Sequence, residues 1–179
     1  MGFLQRISLI ITSLIILHTI PSTTSISITP DAPTMILIDS ICVNTKNMYY
    51  CEQSIISKLG NPHAEIKTIA DIAAFNAVYL ITSAGNYIRD KFIPIAENPL
   101  VKNQLVLCLA TYRAVQKLLE GAYLADRRGD YSDMRHYQSS VLGMLDNCKT
   151  DFDYMVRTNW GVRLMINISL LATRQLPAQ

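Results

Sequence analysis

Histidine and glycine are both scarce in this sequence, with three histidines and seven glycines among 179 residues. Catalysis by a general base would normally call on the first, and a phosphate-cradling loop on the second. There is no GxSxG elbow, no HExxH, no Gly-rich phosphate loop and no CxxC. Charge is thin as well, at 17% of residues. No basic stretch is concentrated enough to hold a nucleic acid. The nearest, Arg127-Arg128, is flanked by Asp126 and Asp130 and reads as a solvated turn. Long alternating polar–apolar stretches are missing, which removes a half-buried sheet from consideration.

What is present begins with an N-terminal leader. Arg6 precedes an apolar run, Ile7 to Ile20, that is short for a transmembrane helix. The small residues Pro21 to Ser25 then offer a cleavage site. Residues 1–25 are therefore expected to be a secretory signal, cut within 22–26, which leaves 26–179 as one domain with no stable membrane association. Removing Arg6 leaves 15 basic against 14 acidic residues.

All four cysteines, Cys42, Cys51, Cys108 and Cys148, follow that leader, and an even number in an oxidising route reads as two disulfides. Of the three pairings, the sequence-local one, Cys42–Cys51 with Cys108–Cys148, is expected. The chain-entropy relation assigns about 2.7 kcal/mol to the short loop and about 3.9 kcal/mol to the long one. Zinc fits poorly, since His63 and His136 do not stand at ligand spacing. Asp126, Asp130 and Asp133 lack the late glutamate of a calcium loop; Tyr137 stands there instead. No metal or other cofactor is expected.

Apolar residues step by three and four almost throughout, so the domain is expected to be all-α. Met35–Cys42 and Tyr50–Leu59 read as two short helices around a turn, forming an N-terminal hairpin over 34–60 that Gly60-Asn61-Pro62 ends. A four-helix bundle over 64–175 follows, with up-down-up-down topology. Its first helix, Ala64–Phe92, carries a seam of Ile66, Ala70, Ala73, Ala77, Leu80, Ala84 and Tyr87, and Pro94 is expected to stop it. The second, Leu100–Asp126, carries Val101, Leu105, Cys108, Tyr112, Val115, Leu119 and Ala122. The third starts near Asp130 or Ser132, both able to cap, and carries Tyr137, Val141, Met144, Cys148 and Phe152. The fourth is placed at Asn159–Gln175. A glycosylation sequon, Asn167-Ile168-Ser169, lies inside it.

Cys42-x-x-Thr45-x-x-x-x-x-Cys51, Gly129-Asp130-Tyr131, Ser139-Ser140-Val141-Leu142 before Cys148, and then Asp151-Phe152 resemble the plant pectin methylesterase and invertase inhibitor family over essentially the whole domain. Asn147 replaces the family's usual threonine before the fourth cysteine. Tyr131-Ser132-Asp133 stands where invertase inhibitors often carry Pro-Lys-Phe. The resemblance implies no catalysis and a one-to-one complex that covers the cleft of a cell-wall pectin methylesterase. Acid invertase is the alternative target, and a secreted helical ligand or pollen protein without an enzyme target is the alternative of another class. It places the chain in the apoplast, with the vacuole second. The contact residues expected are Asp130, Tyr131, Arg135 and His136, around the turn that carries the resemblance without serving the seam. Tyr131 offers a rigid surface, Arg135 a charge for acidic groups around a cleft, and His136 a charge gained as the medium acidifies.

Overall fold

A computed structural model describes residues 28–177. The expected signal over 1–25 lies outside the described residues, where six α-helices and no strand are found. The first two, α1 (Ala32–Cys42) and α2 (Met48–Ile56), form the hairpin. Asp31 begins α1 by accepting from the Thr34 amide at 2.9 Å, with Pro33 in the first turn. This helix thus starts three residues before the expected Met35. Cys42–Cys51 closes the hairpin, and the Thr45 hydroxyl donates to the Cys42 carbonyl at 2.7 Å. That bond accounts for a threonine three residues after the first cysteine. Buried Thr34 accepts from the Ala64 amide at 2.9 Å, pinning the hairpin to the bundle.

The bundle consists of α3 (Ile66–Tyr87), α4 (Pro99–Arg127), α5 (Tyr131–Met144) and α6 (Asp153–Thr173). Neighbouring helices run antiparallel, as their cross-contacts show. Ser169 on α6 meets Ala70 on α3, and Gln116 on α4 meets Thr82 on α3. Gln138 on α5 meets Ser169, and Gly121 on α4 lies under the Tyr137 ring of α5. The order around the bundle is therefore α3–α4–α5–α6, the expected up-down-up-down arrangement. The most extensive packing is between α3 and α6. Ala70, Ala73 and Ala77 on α3 and Gly161 on α6 are buried there, and small residues let two backbones approach closely.

Several details differ from the sequence reading. Toward the end of α3 the large buried positions are Ile81 and, just past the helix, Ile88, whereas Leu80 is half-buried and Tyr87 is 44% exposed. Pro94 does not stop the chain's helical course. A π-turn at Ile88–Phe92 precedes it and a short helical turn, Ile93–Ile95, runs through it. The Ile93 amide reaches back to the Ile88 carbonyl, a wider step that absorbs the donor proline lacks. Helix α5 ends early, followed by a 3₁₀ turn at Leu145–Asn147, so Cys148 and Phe152 sit beyond it. The residues that α5 buries are Met134, Gln138 and Val141, in place of Tyr137 and Met144. Helix α6 begins six residues before the expected start. The second bridge, Cys108–Cys148, joins α4 to the α5–α6 connection in the core. Beside it the Tyr112 hydroxyl donates to Asn159 Oδ1 at 2.9 Å, and Asn159 Nδ2 donates to the Cys148 carbonyl. Burial pushes the Tyr112 phenol far up, which keeps it a donor.

The segment Ile66–Ile95 is long and apolar enough to cross a membrane by length and composition. Its Ala70, Ala73, Ala77 and Ala84 face is buried in this bundle.

Candidate functional site

The four expected contact residues gather at the α4–α5 turn and the start of α5, but the fold itself gives two of them, Asp130 and Arg135, structural work. Gly129, at φ 75°, takes the left-handed conformation that ends α4. The Asp130 amide donates to the Ala125 carbonyl at 3.0 Å and the Gly129 amide to Asp126 at 2.8 Å. Asp130 then caps α5, accepting from the Asp133 amide at 2.9 Å. Gly129-Asp130 is thus one helix stop followed by one helix start. Arg135 donates to the Thr173 carbonyl at 3.0 Å, serving the last turn of α6. Tyr131 is half-buried against Ala122, Ala125 and Met134. His136 is exposed, its ring edge-on to Tyr137 with centroids 6.2 Å apart.

A second feature adjoins this turn and was missed by the sequence reading. Between α3 and α4 runs a groove of about 860 Å³. Its floor is Leu119, Ala122 and Met134, all buried, and its edges carry Phe75 and Val78 on α3 and Tyr123 on α4. Phe75 is 69% exposed and Tyr123 61%. Two large aromatic rings held mostly in water beside an apolar groove form the kind of exposed patch that marks a contact site. The signal was available as Phe75 and Tyr123, apolar residues lying off the seams, but single exposed apolar residues are common and carry little weight by themselves.

At the end of the groove nearest the turn, Lys67 bridges two carboxylates. Its Nζ lies 2.8 Å from Asp71 Oδ2 and 2.9 Å from Asp126 Oδ1. The aligned hydrogen bond to Asp126 goes to Oδ2, at 3.1 Å, so Oδ1 is buried within reach of the charge but without a donor pointed at it. Burial raises the Asp71 carboxyl above the usual range and the Asp126 charge adds to this, against the pull of Lys67. Burial opposes the charge on Lys67, but its bonds to both carboxylates outweigh that and hold the ammonium on. At the other end Gln116 Nε2 donates to the Thr82 hydroxyl at 2.9 Å.

Among the described residues no three of His, Cys, Asp and Glu converge as metal ligands. The arrangement is one for contact: apolar floor, aromatic edges, polar ends.

Residues 36–171 match the family described as plant invertase/pectin methylesterase inhibitor. The chain belongs to this family. Its fold is shared by two solved structures. One is a mutant form of a pectin methylesterase inhibitor from Arabidopsis, 18% identical, with a TM-score of 0.70 over 79% of this chain and 98% of that one. The other is a pectin methylesterase inhibitor from Arabidopsis thaliana, also 18% identical, with a TM-score of 0.61 over 83% and 99%. No curated protein matches the chain. For this invertase/pectin methylesterase inhibitor family member, the Thr45 bond and the Gly129-Asp130 turn give physical reasons for two of the motifs that carry the resemblance.

Proposed function

We propose that this chain is a secreted inhibitor that binds one plant pectin methylesterase and closes its substrate cleft with the α3–α4 face. It performs no bond-breaking chemistry; it keeps the polymer from the enzyme's own catalytic groups. Family membership supports the inhibitor class, and the exposed pair Phe75 and Tyr123 beside the groove supports the face. Rigid aromatic side chains next to an apolar floor are the usual anchors of a protein interface. A single such face, near 800 Å² per partner in standard complexes, fits one partner per chain. Tyr131, His136 and the exposed end of α4 extend the surface at the turn.

Between the two enzyme classes, the turn favours the esterase. The segment after Gly129-Asp130 is the first turn of α5, with Tyr131 folded back onto Ala122 and Ala125. The Pro-Lys-Phe that invertase inhibitors often carry after this turn is absent.

The test is titration of the oxidised protein, without its leader, into a purified pectin methylesterase and separately into an acid invertase. Esterase activity should fall to a floor at one equivalent while invertase is untouched. Phe75→Asp and Tyr123→Asp should each weaken esterase binding by roughly ten- to hundredfold, about 1–3 kcal/mol, with unchanged thermal melting. Full inhibition by the double variant would move the contact face elsewhere. Inhibition of invertase alone would reverse the choice of target, and inhibition of neither would point to a ligand without an enzyme target.

A further inference from the structure

We infer that Asn167 carries an N-linked glycan, and that the sugar is transferred before α6 docks onto the bundle. The inference rests on the secretory route proposed above. A sequon buried in an apolar helix would stay bare. Here Asn167 is exposed while Ile166 and Ile168 on either side are fully buried. It is the one exposed position on α6 between Trp160 and Arg174.

The other half of the motif points inward. Two residues on along a helix is about 200° around its axis, so Asn167 and Ser169 cannot share a face. Ser169 has no exposed surface, accepts from Gln138 Nε2 at 2.8 Å and donates to the Ala70 carbonyl at 3.0 Å. A transferase that reads the asparagine amide together with the hydroxyl two residues later needs both in one extended segment. The folded bundle presents the amide and hides the hydroxyl. Modification therefore belongs to the unfolded, newly translocated chain, and folding afterwards buries the recognition group while leaving the sugar outside.

The glycan also falls in a compatible place. Helix α6 borders α3 and α5 and lies diagonally across from α4, so its exposed strip faces away from the α3–α4 groove. A sugar on Asn167 covers the outer side of the bundle and leaves the groove open.

The full chain expressed in plant cells tests this. The peptide containing Asn167 should carry a glycan that peptide N-glycosidase removes, leaving aspartate at 167, and Asn167→Gln should abolish the modification without changing inhibition. The peptide is scored in both medium and cell extract. Modified peptide found only inside cells would uphold the glycan and overturn secretion to the medium. Unmodified peptide in both pools would overturn the glycan. For the order of events, oxidised chain made in bacteria is offered to oligosaccharyltransferase with a lipid-linked donor. The folded chain should remain bare and the reduced, unfolded chain should be modified. Equal modification of the two would overturn the requirement that transfer come first.

Discussion

Asp130 illustrates how a residue can carry a family motif for structural reasons. Its carboxylate is engaged with the first turn of α5, so Asp130→Ala should cost about 0.5–2 kcal/mol, read as a lower thermal midpoint. Asparagine caps equally well, so Asp130→Asn should keep both stability and inhibition. An asparagine variant that melts normally but no longer inhibits would show that the charge meets the partner after all. Asp71 behaves in the opposite sense. Burial raises its pKa above 3.8, so the folded state favours the protonated form. The penalty on folding is absent below the unfolded value and sets in as pH rises through the folded one. Asp71→Asn removes that penalty and leaves Lys67 its partner Asp126. The variant should melt slightly higher than the parent at pH 7 and no higher at pH 3, the half-exposed side chain keeping the effect small. A fall in melting temperature at pH 7 would mean that the Lys67 bond outweighs the burial.

Among the helices, α4 and α3 show what sequence periodicity can and cannot resolve. On α4 large residues recur against a polar background, and Leu105, Cys108, Tyr112, Val115 and Leu119 are all buried as expected. On α3 the alanines give little contrast, and Leu80 stands beside Ile81 as Tyr87 stands beside Ile88. Periodicity alone cannot choose within such neighbouring pairs: Ala70, Ala73, Ala77 and Ala84 are buried as expected, but Leu80 and Tyr87 lie one residue from the buried Ile81 and Ile88. On α5 the buried residue is a glutamine, paired with Ser169, which no apolar pattern would mark. The sequence-local choice among three cysteine pairings is the one the structure has, and the bundle topology was legible from helical periods joined by short links. The groove was not, since it depends on how far α3 and α4 stand apart. Glycines within helices give the sharpest test at this scale. A Cβ on Gly121 would lie 2.6 Å from the Tyr137 ring, whereas one on Gly143 meets nothing within 4 Å. Gly143→Ala should therefore gain up to about 1 kcal/mol from reduced backbone freedom. Gly121→Ala should lose about 1 kcal/mol or more overall, because the ring must move off its helix. Equal gains in the two variants, by chemical denaturation, would show that Tyr137 moves freely.

At the scale of the whole molecule the two bridges do different work. Cys42–Cys51 closes a short loop within the hairpin, whereas Cys108–Cys148 spans 40 residues of sequence and lies among core side chains. Replacing both cysteines of the second pair with alanine should lower stability by roughly 3–5 kcal/mol, against roughly 2–3 kcal/mol for the first. Guanidinium unfolding of the two variants gives the comparison, and a larger loss from the hairpin pair would reverse the ranking.

The long bridge has one more consequence. It encloses the exposed pair Arg127-Arg128, where α4 gives way to α5. A trypsin-like protease cutting there would sever the backbone but not the molecule, because Cys108 and Cys148 lie on opposite sides of the cut. Limited digestion confined to that point should give one band on a non-reducing gel and two after reduction. The nicked form should retain its helical signal until the disulfide is reduced. An inhibitor built this way tolerates a break at the tip of its central hairpin, and reductant, more than proteolysis at that point, brings it apart.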